Sequence, residues 1–298
     1  MADAACVAIG AVWLSSQGAA DVRSMCIRCL ELGYDGIVPA PSGRRVPWED
    51  LPAVIEDLPI RIPAVRADGL FATPDGSLAS SRDDEVLAAR ARIERGAAVA
   101  RQVGAPYLIV EAPRVALTGE PMAGTDLRDG GDGWDEERLS VLCDRLTACR
   151  GRYLDRACRA LHGVASAIAP VRLALTESPD LCSASQARDL QEVMDDLRGL
   201  AVAYWHRPAV VALRASLGGE GSGETLEMLS KYLGGSDLSD YSGRGLQAVP
   251  GSGGVDYAEV APYMRSLHSG LPTVVDYDPA CRDGDLRQGR AFLETFGL

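Results

Sequence analysis

The chain has 298 residues and a mass of 31.5 kDa, with 47% hydrophobic and 24% charged residues. That is globular composition, too apolar for disorder, and no uncharged apolar run reaches the roughly 18 residues of a membrane span. Thirty basic against 42 acidic residues leave a net charge of −12, a field that repels nucleic acid and anionic lipid. The start MADAACVAIGAVWL carries neither a basic leader nor a clear cleavage signature, so the expectation is a cytoplasmic protein without a signal peptide.

In chain order, apolar β-like runs alternate with amphipathic helical ones. A strand is predicted over 6–14, a helix over 19–32, a strand over 35–40 and a helix over 48–57. Then follow a strand at 61–67, a helix at 82–103, a strand at 107–112 and a long helix at 135–168. The second half reads strand 171–177, helix 184–198, strand 200–205, helices 207–217 and 222–233, strand 236–241, helix 255–268, strand 272–277 and helix 284–295. The seventh strand, SDLSDY, is polar and short. The others are near-continuous apolar runs, the pattern of parallel strands covered by helices. About eight β/α repeats without a Ser/Pro/Gly linker predict a single (β/α)8 TIM barrel over residues 1–298. Acidic residues at the helix starts SRDDEV, DGWDEER and GVDYAEV support the register. A doubly wound open sheet is the runner-up, weakened because no GxGxxG follows the first strand. The longest irregular piece, residues 112–133, follows the fourth strand. In a barrel it covers the C-terminal mouth, as a substrate-covering loop or a surface excursion.

Lys231 is the sole lysine, which confines any lysine Schiff base to the helical stretch GETLEMLSKYL. Cys26 and Cys29 form a CxxC, but no second pair lies nearby to complete a zinc site, and helical spacing reads them as buried helix-face thiols. No GxSxG, HExxH, P-loop or EF-hand pattern occurs, which argues against a serine hydrolase, a zincin and an NTPase.

Among three histidines, His162 lies within a helix and His268 in a helix's last turn, whereas His206 directly follows a strand and is the candidate for proton transfer. Glu111 ends YLIVE with Arg114 three residues on, as a general base or as half of a structural ion pair. Arg66 and Asp68 close the third strand. Trp13 and Trp205 come at or near strand ends, suited to a pocket wall or to core packing. Asp237 and Asp240 lie in GGSDLSDYSG, where loop capping is the competing reading.

Two segments carry a family resemblance. ARIERGAAVARQVGAPYLIVEAP resembles the helix-to-fourth-strand passage of the xylose-isomerase-like barrels, the sugar phosphate isomerase/epimerase superfamily. DYSGRGLQAVPGSGGVDYAEVAPYMRSLHSGLPTVVDYDP resembles its ending: a strand-end Asp, an Arg, a PGxG turn, VDY opening a helix, and a last strand closing with an acid. The resemblance implies one divalent metal (Mn, Mg, Co or Zn) held by an acid after strand five, an Asp after strand six, a His at strand seven and a Glu after strand eight. It assigns those places to Glu177 (Thr176 if the register is one earlier), Ala203 with His206 retained three residues on, Asp237, and Asp276. The family's acid at the end of strand two is replaced by Val38 and Pro39. Two readings stay open: Glu177, Asp237 and Asp276, with His206, bind a hard cation, or the site has decayed and the barrel does metal-free acid/base chemistry.

The resemblance further implies that Arg244, before the PGxG turn, orients substrate oxygens. The expected activity is isomerisation or epimerisation of a small polar carbonyl metabolite, with His206, Glu177 and Glu111 moving protons. Arg244, Trp13, Trp205, Arg66 and Arg114 contact the substrate. A dehydratase, or a cyclase of specialised metabolism, is the alternative enzyme; a non-catalytic binding subunit is the alternative outside enzymes. The partner is a small molecule, and the resemblance implies a homodimer. An abasic-DNA repair relative shares the fold, but its histidine-rich three-zinc site and basic face are at odds with three histidines and a charge of −12.

Overall fold

The computed structural model describes residues 6–18, 21–40, 46, 48–67, 76–115, 117, 125–127, 136–243, 245–266 and 270–298. The first half runs β1 (Val7–Gly10), α1 (Ala11–Ser16), α2 (Val22–Glu31), β2 (Gly36–Val38), α3 (Leu51–Asp57), β3 (Ala64–Arg66), α4 (Asp83–Gln102), β4 (Tyr107–Glu111) and α5 (Glu136–Ile168). There follow β5 (Arg172–Thr176), α6 (Ala187–Asp196), β6 (Val202–His206), α7 (Pro208–Ala215), α8 (Ser222–Leu229) and β7 (Leu233–Asp237). A hairpin of β8 (Asp240–Ser242) and β9 (Gly245–Ala248) precedes α9 (Tyr257–Ser266), β10 (Thr273–Val275) and α10 (Asp283–Thr295).

Eight strands form one parallel sheet in the order β2-β1-β10-β7-β6-β5-β4-β3. The two ends meet through a parallel bridge between Gly36 and Arg61, where the Ile37 amide donates to Arg61 O at 3.0 Å and the Arg61 amide to Asp35 O at 2.9 Å. The result is a (β/α)8 barrel, as the alternation of elements predicts. Around it β3 stands opposite β7, and β4 opposite β10.

Side-chain alternation divides every strand between lumen and helix layer. The lumen takes small residues, Ala8, Ala64, Ala174 and Ala203, together with two large ones, Tyr107 and Trp205. Those two rings meet edge to face with centroids 5.8 Å apart. Room for them comes from β7: a Cβ on Gly235 would sit 2.5 Å from Trp205 Cη2, and one on Gly234 2.7 Å from Ala203 Cβ. This glycine pair is also why strand seven is misplaced in the sequence. It runs Leu233–Asp237 rather than 236–241, because its lumen face is supplied with bulk by its neighbour and carries no β-branched signal of its own.

The predicted first strand is likewise cut at Gly10, since α1 takes the following six residues and Trp13 with them. Helix bounds otherwise follow the sequence reading, and Asp83, Asp84 and Glu85 open α4 as expected. Lys231 lies just before β7, at the end of the barrel remote from the mouth, 3.8 Å from Asp195. Cys26 and Cys29 are fully buried on α2, and the Cys29 thiol donates to Gly36 O at 3.1 Å. Burial pushes the Cys26 thiol up to about 11, so this pair packs rather than reacts. Among the described residues no helix is long and apolar enough to cross a membrane.

Candidate active site at the barrel mouth

The C-terminal ends of β3, β4, β6, β7 and β10 deliver five charged side chains to the lumen side of the mouth: Arg66, Glu111, Arg207, Asp237 and Asp276. Arg66 starts from β3 and crosses the lumen. Its Nη2 donates to Asp237 Oδ2 at 2.7 Å and also pairs with Asp276 Oδ2, with all three side chains less than 10% exposed. Arg207 follows β6. Its Nη1 donates to Glu111 Oε1 at 3.0 Å, and its Nε lies 3.5 Å from Asp237 Oδ2. Ser178 Oγ donates to the other oxygen of Glu111 at 3.0 Å, and Ser239 ties down Asp237 Oδ1 through its hydroxyl at 2.6 Å.

Two guanidiniums thus face three carboxyls, and the excess negative charge falls on one of them. Burial pushes Asp276 up to about 6, and the neighbouring Asp237 charge works in the same direction against Arg66. Burial also acts to raise Asp237, but Arg66 and Arg207 outweigh it and hold that carboxyl below the ordinary range. Two acids side by side with their affinities for a proton driven apart make a donor and an acceptor. Below them Trp205 fills the lumen, and its Nε1, like Nε of Arg66, is a buried donor without a hydrogen-bond partner among the described residues.

Glu177 and His206 are not in this group. Trp205 faces the lumen, so its neighbours Tyr204 and His206 face the helix layer, and Glu177, one past β5, does the same. The Tyr204 hydroxyl donates to Glu177 Oε1 and sits 2.6 Å from His206 Nδ1. The hydroxyl has one proton and the carboxylate needs it, so His206 Nδ1 is the donor to the Tyr204 oxygen. Burial acts to raise Glu177, but the His206 ring 3.4 Å away and the Tyr204 hydroxyl hold it below the usual range.

Glu177 also lines a cavity of about 270 Å³ under the helices, with Leu142, Leu146, Val211 and Arg214. The link to the mouth runs through the backbone: Glu177 Oε2 accepts the Arg207 amide at 3.0 Å, and Arg207 Nη1 reaches back to Glu177 O at 3.4 Å. The expectation that Glu177, His206, Asp237 and Asp276 share one cavity is therefore corrected. A strand's period of two puts the first pair on the opposite face from the second.

The other predicted residues divide as follows. Arg66 and Glu111 are in the mouth. Trp205 is its floor. Trp13, on α1, is buried and donates from Nε1 to Cys281 O at 3.0 Å, which fastens α1 to the segment after β10, away from the charged cluster of the mouth. Arg114 Nε pairs with Asp180 Oδ2 at 2.7 Å and, half-exposed, joins the segments after β4 and β5. Asp240 accepts the amides of Tyr241, Gly251, Gly253 and Val255. It caps the PGxG turn, as the capping reading holds. Arg244, Asp68, His268 and most of the stretch 112–133 lie outside the described residues. Arg207 is the mouth residue that sequence reasoning missed. Counting by twos from a lumen-facing Trp205 would have found Arg207.

The residues present do not fit the metal that the resemblance implies. At the lumen side of strands five to eight stand Thr176, Ala203 with Trp205, Asp237 and Asp276, which is two carboxylates where four ligands are needed. Both already share Arg66. Among the described residues no group of three or more His, Cys, Asp or Glu side chains is placed to hold a metal ion.

No family model matches the chain, and no curated protein matches it in sequence. Solved structures do. A D-tagatose 3-epimerase-like protein is 12% identical with a TM-score of 0.69, covering 98% of this chain and 96% of its own. D-psicose 3-epimerase with D-tagatose, from Clostridium cellulolyticum H10, is 13% identical with a TM-score of 0.68, covering 98% of each chain. The 3-keto-D-glucoside 4-epimerase YcjR from E. coli is 14% identical with a TM-score of 0.66, covering 98% and 99%. The chain shares the barrel fold of these proteins, with 98% of it covered.

Proposed function

We propose that this chain is an enzyme of isomerase or epimerase type that moves a proton beside the carbonyl of a small, sugar-like substrate held in the barrel mouth. The observation that carries the reading is the Arg66–Asp237–Asp276 cluster facing the Arg207–Glu111 pair. Glu111 ends β4 and Asp276 follows β10, on opposite walls of the lumen. Inverting a carbon next to a carbonyl needs a base on one face and an acid on the other. One carboxylate takes the proton from carbon, electron density moves onto the carbonyl oxygen, and the opposing carboxyl returns a proton to the other face. The guanidiniums of Arg66 and Arg207 offer the developing oxyanion hydrogen bonds and charge in a buried setting. The unpartnered Nε of Arg66 gains an acceptor when a substrate oxygen arrives.

Glu177, with Tyr204 and His206 behind it, is a positioning residue in this scheme, since it holds the main chain of Arg207. The neighbours of like fold include a D-tagatose 3-epimerase-like protein, an L-ribulose 3-epimerase and a D-psicose 3-epimerase, which makes ketoses the first substrates to test. The cytoplasm suits such a catalyst. All eight cysteines are free thiols, the state a reducing compartment maintains.

The test is proton exchange. The protein is incubated in deuterium oxide with D-tagatose, D-psicose, D-fructose and L-ribulose in turn, and deuterium at the carbons flanking the carbonyl is followed by NMR. Incorporation that depends on the protein and disappears in Asp276→Asn is expected. A panel that stays fully protiated, with the protein folded, removes the proposal.

A further inference from the structure

We propose that the guanidinium of Arg66 is the resident cation of this mouth, standing between the strand-seven and strand-eight acids where the resemblance places a divalent metal, so that the chain works without one. The inference rests on the proposed proton-transfer chemistry for its catalytic meaning, but not for its binding test.

Three observations lead to it. The Arg66 side chain spans the lumen from the wall opposite β7, and a single nitrogen, Nη2, meets both Asp237 and Asp276. A guanidinium so placed neutralises the carboxylates that a metal would otherwise neutralise, and a second cation could enter only by expelling it. The remaining approach to Asp237 is held as well: Arg207 Nε is 3.5 Å from the same Oδ2, while Ser239 holds Oδ1 from its amide at 3.2 Å and its hydroxyl at 2.6 Å. The Asp276 amide is in turn bound to Ser239 Oγ at 2.8 Å, so Ser239 joins the main chain at Asp276 to the carboxyl of Asp237, and both acids present Oδ2 to Arg66. Finally, the other two ligand positions have lost their donors. Ala203 has none, and Glu177 is turned into the helix layer.

A guanidinium cannot chelate two substrate oxygens as a metal does, but it offers planar, directional N–H donors and a charge that does not titrate in the working range. A mouth built on Arg66 and Arg207 therefore orients a carbonyl by hydrogen bonds rather than by coordination.

The test uses the full chain, stripped with EDTA and titrated with Mn2+, the free ion being read by electron paramagnetic resonance and binding checked by thermal shift. Wild type and Arg66→Lys, which keep a cation, are expected to leave Mn2+ free. Arg66→Ala, which frees Asp237 and Asp276 of their shared cation but restores no lost ligand, is expected to gain affinity for Mn2+ at least about tenfold over wild type, with the gain lost in Arg66→Ala/Asp276→Asn. Stoichiometric Mn2+ on wild type that vanishes in Asp276→Asn overturns the proposal. So does a folded Arg66→Ala that still ignores the ion. If Arg66→Ala fails to fold, the wild type and Arg66→Lys arms decide alone.

The deuterium-exchange assay of the stripped wild type separates this inference from the function it serves. Exchange that needs added Mn2+ removes the inference and keeps the function. Absence of exchange in a protein that also ignores Mn2+ removes the function and keeps Arg66 as the cation.

Discussion

Replacing Gly10 with alanine probes the mouth through a single methyl group. Gly10 closes β1 at φ −67° and ψ 133°, an extended conformation that alanine adopts freely, so no backbone strain enters the result. The new Cβ would land on Oδ1 of Asp276 and 2.8 Å from its Cγ. Asp276 is short, and its own amide is tied to Ser239. Its carboxyl can escape only by rotating away from Arg66. Parting one member of a buried ion pair from the other costs ~3–5 kcal/mol. Partial recovery through Asp237, which keeps its bond to Arg66, places the expected loss near the lower end, about 3 kcal/mol.

At an urea dependence of ~2–3 kcal/mol per molar, the unfolding midpoint falls by about 1 M. The assay is urea unfolding by tryptophan fluorescence, in the wild-type background and in Asp276→Ala. Once the carboxyl is gone, the nearest atom of residue 276 is its Cα at 3.6 Å, an ordinary contact. There the same Gly10→Ala change should cost under ~0.5 kcal/mol. An equal loss in both backgrounds would show that Gly10 acts through something other than Asp276, and the described mouth geometry would be wrong.

Tyr204→Phe leaves Glu177 buried without its hydroxyl donor and should destabilise by ~1.5–3 kcal/mol, measured by the same unfolding curves. Gly235→Ala pushes a methyl into the Trp205 ring and should cost ~1–3 kcal/mol, with a changed tryptophan emission as the local reporter. The pH dependence follows from Asp276, whose folded value stands at about 6 against an ordinary 3.8. A carboxyl raised in the folded state binds its proton more tightly there. Its contribution is complete below the unfolded value and is lost as pH climbs through about 6, up to ~3 kcal/mol in all. Unfolding midpoints taken from pH 4 to 7 should therefore decline in wild type relative to Asp276→Asn, and parallel curves would contradict the raised value.

The barrel was legible in the sequence because its outward strand faces and helix stripes carry strong periodic signals, from YLIVE to the long helix of residues 135–168. Strand seven was not, because Gly234 and Gly235 are chosen to make room for Trp205 rather than to favour a strand. The mouth was half legible. Arg66, Glu111, Asp237 and Asp276 all stand out as charged residues at strand ends, a place where burial is costly without a purpose. Which face each one takes is a matter of one residue in register. His206 looked placed for the mouth only because the end of β6 was set one residue early. Its neighbour Arg207, two along from Trp205, is the residue whose side chain reaches Glu111. That Arg66 would pair with acids at the ends of β7 and β10 is a fact of tertiary closure, invisible to any local pattern.

The division between a working lumen face and a supporting helix face is tested most directly by deuterium exchange into a ketose that the wild type turns over, measured in Asp276→Asn and His206→Gln at a temperature where circular dichroism shows both folded. Removing the mouth carboxyl should slow exchange by at least ~10²-fold, the usual worth of a proton-transfer group, while the His206 variant stays within about threefold, less than ~1 kcal/mol of barrier. Full exchange in Asp276→Asn together with its loss in His206→Gln would place the chemistry on the opposite face of the sheet.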